Sequence, residues 1–342
     1  MTVLWMDDPS YYSNAQLSSR YDNVTAITVN AATGRFGTAS WRTNNNNNFG
    51  ALVKLLPSSS ATLTAGFSFK LITLTTQGNA MVTFLDSGTA QTSVWVTATG
   101  QIQLLRGGTT VFGTLSTNAL QIGVWYRMEF KLTVDPSAGV AEVRINGTSV
   151  GWFPSTGSLN TRGSANSSAN QVRMGNIVNN TPNIFDANDF VVTDNNSPNA
   201  GFLGDKKCYL RMPNSDSSVQ WTRLSGASNY LMVNENPADD DTTYNSSSTP
   251  TQLDLLGLPA LPGAATNIVA INNVIKSRKD DAGTRTIHDV MKSNTTQSES
   301  ADIPLSTTYQ YNDFILDQDP DTSAAWTPTG ANALLVGYKE IA

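Results

Sequence analysis

The stretch GVWYRMEFKLTVDPSAGVAEVRING, Gly123 to Gly147, constrains the fold of this chain more than any other. Tyr126, Met128, Phe130, Leu132 and Val134 fall on one side of an extended backbone, with Arg127, Glu129, Lys131 and Thr133 on the other. Successive strand side chains point to opposite faces, so this spacing predicts a strand with one apolar and one polar face. The DPSAG segment supplies a turn, and Ala141, Val143 and Ile145 then alternate with Glu142 and Arg144. Asn146-Gly147 follows, a pair suited to the type I′ turn because both of its central residues need positive φ. Glu129 and Glu142 are therefore expected to face each other's strand among Arg127 and Arg144, as cross-strand charge pairs.

The same grammar recurs upstream. AGFSFKLITL, AMVTFLDSG, SVWVTATG, QIQLLRGG and TTVFGTL follow at short intervals with glycines between them, the pattern of an antiparallel sandwich. The short candidates for helix are NAQLSSRY and GANALLVGY. With 342 residues, two domains are expected. Loop residues cluster in TDNNSPNAG, Thr193 to Gly201, which sets the expected domains at 1–195 and 201–342. Beyond it KCYLRM, LDLLGLPAL, NIVAINNVIKS, RTIHDVMKS, TTYQYNDFIL and ALLVGYKEI resume the β pattern, so the second domain is expected to be another β-sandwich. NNNNNF at Asn44 to Phe49 is expected to be a solvated loop.

Hydrophobic residues make up 39% of the chain, enough for a core, whereas charged residues make up only 14%. A surface so poor in charge must be covered by Ser, Thr, Asn and Gly, which suits exposed sheets and polar loops. The net charge of -6, with no run of Lys or Arg, leaves no footprint for nucleic acid or an anionic membrane. Cys208 is the one cysteine, and the alternation in KCYLRM assigns it with Leu210 and Met212 to one strand face, as an inert core thiol. The N-terminal residues show no basic segment followed by an apolar one, and export by the usual signal is not expected.

LQIGVWYRMEFKLTVDPSAGVAEVRINGTSVG resembles the central strands of concanavalin A-like, laminin-G-type jelly rolls. FDANDFVVTD, Phe185 to Asp194, is similar to their last strand, which returns beside the first, and MTVLWMDDPSYY with GRFGTASW fits the opening, apart from Pro9. The remainder resembles the C-terminal half of bacteriophage proteins of this class, through GFLGDKKCYLRMPNSDSSVQWT, YLMVNENPADDDTTY, SRKDDAGTRTIHDVMKS and DQDPDTSAAWTPTGANALLVGYK. The resemblance implies an all-β fold, a concanavalin A-like jelly roll followed by a second β-sandwich domain. It also implies a virion structural protein, part of the tail or the capsid surface, made in the host cytoplasm. Other virion proteins and host surface glycan are then the expected partners, and repeated interfaces favour symmetric homo-oligomers such as trimers.

Glucanases also use concanavalin A-like folds, in which paired carboxylates take the form E-x-D-x-x-E. Glu129, Glu142, Glu235, Glu299 and Glu340 do not sit in that spacing, so the expectation is a non-catalytic protein without catalytic residues. His288 lies beside Asp289 without a G-x-S-x-G turn, and one His with one Cys does not make a zinc site, so no metal and no cofactor are expected. Asp239, Asp240 and Asp241 are candidate ligand-binding residues as an acidic loop able to offer oxygens to calcium, although their spacing is not that of an EF-hand. Trp152, at a strand end before Phe153 and Pro154, is the candidate for stacking on a sugar, while Trp95 and Trp125 are expected in the core. A glycan-binding tail adhesin is the alternative function, and a glycoside hydrolase a more distant one.

Overall fold

The computed structural model describes residues 3–43, 50–75, 78–176, 184–196, 198–199 and 201–341. The expected loop at Asn44 to Phe49 lies outside the described residues. The chain forms two compact units, Met1–Cys208 and Tyr209–Ala342. The division therefore falls beyond the polar TDNNSPNAG segment, because residues 201–208 fold back onto the first unit.

Fifteen strands of the first unit occupy Val3–Asp7 (β1), Asn23–Thr25 (β2), Ile27–Asn30 (β3), Ser40–Thr43 (β4), Gly50–Ser60 (β5), Thr62–Leu71 (β6), Asn79–Asp86 (β7), Thr89–Val96 (β8), Ile102–Arg106 (β9), Thr110–Phe112 (β10), Trp125–Thr133 (β11), Gly139–Ile145 (β12), Thr148–Leu159 (β13), Ala169–Asn176 (β14) and Phe185–Thr193 (β15) among the described residues. One sheet runs β13-β12-β11-β6-β15-β4-β3, with β1 also paired to β15. The other runs β10-β9-β8-β7-β14-β5-β2. All these pairings are antiparallel, and the two sheets make the sandwich that the alternating sequence predicts. As expected, β15 returns beside β1, placing Phe190 opposite Asp7 and Thr193 opposite Val3.

The apolar side of β11 faces the second sheet. Met128, Phe130 and Leu132 are fully buried, and Phe130 stacks on Phe84 of β7 with ring centroids 5.5 Å apart. Asn146 and Gly147 both adopt positive φ, 53° and 83°, and turn β12 into β13 as the hairpin signal requires. Asp135 closes the preceding turn by accepting hydrogen bonds from the backbone N–H groups of Ser137 and Ala138. NAQLSSRY contributes one helical turn, Leu17–Arg20 (α1).

In the second unit Ser215–Ser218 (β16), Thr222–Arg223 (β17), Asn245–Ser246 (β18), Leu253–Gly257 (β19), Ile271–Ser277 (β20), Thr286–Ser293 (β21), Thr296–Glu299 (β22), Ile303–Pro304 (β23), Gln310–Leu316 (β24), Gln318–Asp319 (β25), Ala324–Ala325 (β26) and Leu335–Glu340 (β27) follow. Six of them form a sheet, β16-β19-β27-β21-β22 with β23 on β21. The β20-β24 pair is a second layer over it. Asn273 of β20 donates to Asp289 of β21, and Phe314 and Leu316 of β24 pack on a core of Met291, Trp326, Ala331, Leu334 and Val336. Of GANALLVGY, the first part belongs to a short helix, Pro328–Ala333 (α2), capped by Thr327, and the rest is strand.

KCYLRM is not a strand. It pairs with no strand among the described residues, and Leu210 is exposed rather than directed to a core. Replacing Phe130 by Ala is expected to remove its stack on Phe84 between the sheets of the first unit and to cost about 3–5 kcal/mol, measured by urea unfolding of the full chain.

Candidate functional site

The sheet containing β11 turns its polar side away from the sandwich, and the strand register sets that side out as a grid. One row crosses four strands: Trp125 of β11 pairs with Lys70 of β6, Lys70 with Asp186 of β15, and Asp186 with Arg42 of β4. A second row holds Arg127, Ser68 and Asn188, and a third holds Arg144, Glu129, Gly66 and Val191. Directly paired residues share a face and lie about 5 Å apart, so each row is a line of neighbouring side chains.

Residues 201–208 lie across the second and third rows. Glu129 accepts hydrogen bonds from the backbone N–H of Leu203 (2.7 Å) and of Gly204 (2.9 Å). The Arg144 guanidinium stands 3.8 Å from the Phe202 ring centroid, and Arg35 binds the Asp205 carboxylate with both terminal nitrogens. Cys208 donates its N–H to Asp189, which adopts a positive φ of 55° where β15 bulges between Asn188 and Val191. The polar side of β11 is consequently enclosed, with Arg127 1% and Glu129 2% exposed. Arg144 closes its ion pair on Glu142 of its own strand, not on Glu129 opposite, so the expected cross-strand pair is replaced by contacts to this segment.

Enclosure sets the electrostatics. Burial pushes the carboxyls of Glu129 and Asp189 upward, the first opposed by the neighbouring Arg127 charge, and burial lowers Arg127 itself. Arg127 lies against Gly66, where a Cβ would stand 2.7 Å from its Nη2; it donates through Nη1 to the Asp189 carbonyl, while Nε and Nη2 make no hydrogen bond. Asp8 caps the turn at Pro9–Tyr11 through the Ser10 N–H and is raised to about 7, first by burial and further by the Asp189 charge. The Cys208 thiol sits 3.6 Å from the Asp7 carbonyl and is pushed well above the ordinary range by burial. Beside it, Asp7 is held by Tyr12 (2.8 Å), Tyr21 (2.6 Å) and Arg20 (3.2 Å), a network that ties α1 to β1.

The first row is left partly exposed. Lys70 and Arg42 keep 21% and 34% of their side-chain surface, whereas Asp186 between them keeps none. Arg42 binds Asp186 through Nε and Nη2 at 2.6 and 2.7 Å, and Lys70 Nζ is 3.6 Å from the same carboxylate and 5.0 Å from the Trp125 ring centroid. Trp125, expected in the core, is half-buried here. Trp152 has the opposite fate: it is 9% exposed on β13, so the candidate for sugar stacking is an enclosed indole. Strand ends are exposed only where nothing packs over them, and the sequence does not record that.

In the second unit the acidic loop is engaged by its own surroundings. Asp239 accepts from the N–H and hydroxyl of Thr243, Asp240 pairs with Lys276, and Asp241 takes Arg278 (2.8 Å) and the Tyr309 hydroxyl (2.9 Å). The three carboxylates diverge to separate partners, and among the described residues no three His, Cys, Asp or Glu side chains converge as metal ligands. His288 is bracketed by Glu299 on Nδ1 and Asp302 on Nε2, both at 2.7 Å, so no serine is paired with it. Burial opposes the imidazolium, yet the two carboxylates outweigh it and raise the His288 pKa.

No family model matches the chain, and no curated protein matches it. Among solved structures it is similar to an endo-β-1,4-glucuronan lyase from the fungus Trichoderma reesei, at 12% identity and a TM-score of 0.41, over 56% of this chain and 95% of that one. It is also similar to the cellulose induced protein Cip1, at 11% and 0.38, over 51% and 88%. A Trypanosoma rangeli sialidase in complex with sialic acid gives 12% and 0.35, over 50% of this chain and 27% of the sialidase. At these values the likeness assigns no residue a role. The expectation of a non-catalytic protein is nevertheless corrected: a lyase and sialidases stand among the structures the chain is similar to. The missing E-x-D-x-x-E spacing excludes one hydrolase chemistry, not catalysis.

Two outcomes follow. Because the Asp8 carboxyl is raised in the folded state, the fold favours its protonated form; the Asp8 contribution to stability is fully present below its unfolded pKa near 4 and is lost as pH rises through about 7. Asp8→Asn is expected to flatten the decline in melting temperature over that interval. For the acidic loop, calcium and a chelator are each expected to leave the melting temperature unchanged, since Asp239, Asp240 and Asp241 would have to surrender separate partners to share an ion.

Proposed function

We propose that the chain is a surface component of a bacteriophage particle, in the tail or on the capsid, whose first unit presents a lectin-like sheet face to glycan on the host. The single observation that carries the glycan reading is the row Trp125, Lys70, Asp186 and Arg42: an indole followed by charged groups along one line, half-exposed, on the face turned away from the sandwich. Aromatic rings offer an apolar face to the C–H side of a sugar, and charged side chains at fixed spacing bind its polar groups. The particle reading is supported by the resemblance of four C-terminal segments, in order, to bacteriophage proteins, from GFLGDKKCYLRM to DQDPDTSAAWTPTGANALLVGYK. In that setting the chain assembles with other virion proteins, as a symmetric oligomer such as a trimer.

Both halves are testable on the full chain. Gold-labelled antibody against it is expected to mark intact particles, and purified protein is expected to bind surface polysaccharide from the host and to slow adsorption of the particle. Unmarked particles would remove the virion assignment. Absence of retention on any polysaccharide would remove the glycan assignment.

A further inference from the structure

Resting on the glycan reading of the same row, we infer that its ligand is a sugar carrying carboxylates, held by Lys70 and Arg42 with Trp125 beneath the ring.

Asp186 brings one negative charge and lies between two cations, so the row retains one positive charge when all three are ionised. Asp186 itself is fully enclosed, with each oxygen bound by Arg42, so its remaining lone pairs lie out of reach of a ligand hydroxyl. Neutral sugars are normally held by just such carboxylate acceptors, and here the acceptor is already occupied. Donors, by contrast, are in surplus. Arg42 uses Nε and Nη2, and its Nη1 has no hydrogen-bond partner among the described residues; Lys70 Nζ, at 3.6 Å from Asp186, lies beyond hydrogen-bonding distance of it. A site with spare cationic donors and no spare acceptor selects an anion, and a planar guanidinium edge beside an ammonium matches a carboxylate.

The location of the charge agrees. The chain is acidic as a whole, but residues 1–208 hold 13 Lys and Arg against 11 Asp and Glu, while residues 209–342 hold 8 against 16. The cation surplus therefore belongs to the unit that carries the row. Trp125 supplies what simple anion attraction lacks, an apolar face at the end of the cationic line, so the ligand is expected to be a sugar acid and not any polyanion. The row spans three strand spacings, roughly 14 Å, long enough for more than one sugar ring.

Affinity electrophoresis of the full chain tests this with polygalacturonate, alginate and polysialic acid, each beside the same polymer after reduction of its carboxylates to alcohols, and with dextran sulfate as the polyanionic control that carries sulfate esters and no carboxylates. At least one acidic polymer is expected to retard the protein, with binding at least tenfold weaker after carboxyl reduction and weakened further by salt. Lys70→Met is expected to lose about tenfold while retaining the melting temperature, and Trp125→Ala to lose binding to the same polymer. Equal binding of the reduced polymer, dextran sulfate as strong as the sugar acid, or a Lys70→Met variant that binds unchanged would overturn the inference while leaving glycan binding intact. Retention by neutral polysaccharide alone would do the same. No retention by any polymer would remove the inference and the glycan reading together.

Discussion

The contact of Phe84 with Phe130 between two antiparallel sheets is what the polar chemistry of the first unit depends on. Once Met128, Phe130 and Leu132 are committed to the interior, strand geometry leaves Trp125, Arg127, Glu129 and Lys131 no choice but the opposite side. Neighbouring strands then bring their own charged residues into line by register alone. The functional face is in this sense a by-product of core packing: shifting β11 by one residue would turn every charge inward and every apolar group outward. The antiparallel pairings of β11 with both β6 and β12 hold it against such a slip.

What lies over that face is a separate matter. Part of it is covered by residues 201–208, which the loop-like composition upstream suggested would belong to a second domain. The covering turns a surface that looks solvated in sequence into an interior, and four groups respond electrostatically: Glu129, Asp189 and Asp8 are driven toward their neutral forms and Arg127 is made costlier to keep charged. At the uncovered margin Lys70 and Arg42 stay partly exposed around the enclosed Asp186. One face thus carries two environments, a closed polar interior and a partly open row, divided by where the chain happens to cross.

Much of the fold was legible because alternation is a local property. The β11–β12 strands, the Asn146-Gly147 turn and the return of FDANDFVVTD beside the first strand all stand where their residues place them. The site was less legible. Trp152, singled out for stacking by its place at a strand end before Phe153 and Pro154 although burial is the favoured reading of it, is enclosed; Trp125 looked like core because it opens a strand, and borders the row. Alternation tells which side a residue takes, never what crosses that side. KCYLRM shows the complementary limit, since a periodic segment becomes a strand only when it pairs with a neighbour, and this one does not. Its cysteine ends the covering segment instead, donating an N–H to Asp189. Nothing short-range announces Gly66 either, although its missing side chain is what lets the Arg127 guanidinium lie down across β6.

The grip on Glu129 comes from main-chain amides at positions 203 and 204, not from side chains. Such a clasp is indifferent to most amino-acid replacement: bulk, polarity or charge at position 203 can drift while the amide still points at the carboxylate. Proline is excluded because it has no hydrogen to give, and position 204, at a φ of 74°, favours glycine. Position 203 is therefore the tolerant point of this crossing, while the glycine at 204 and the acid on β11 are its fixed pair.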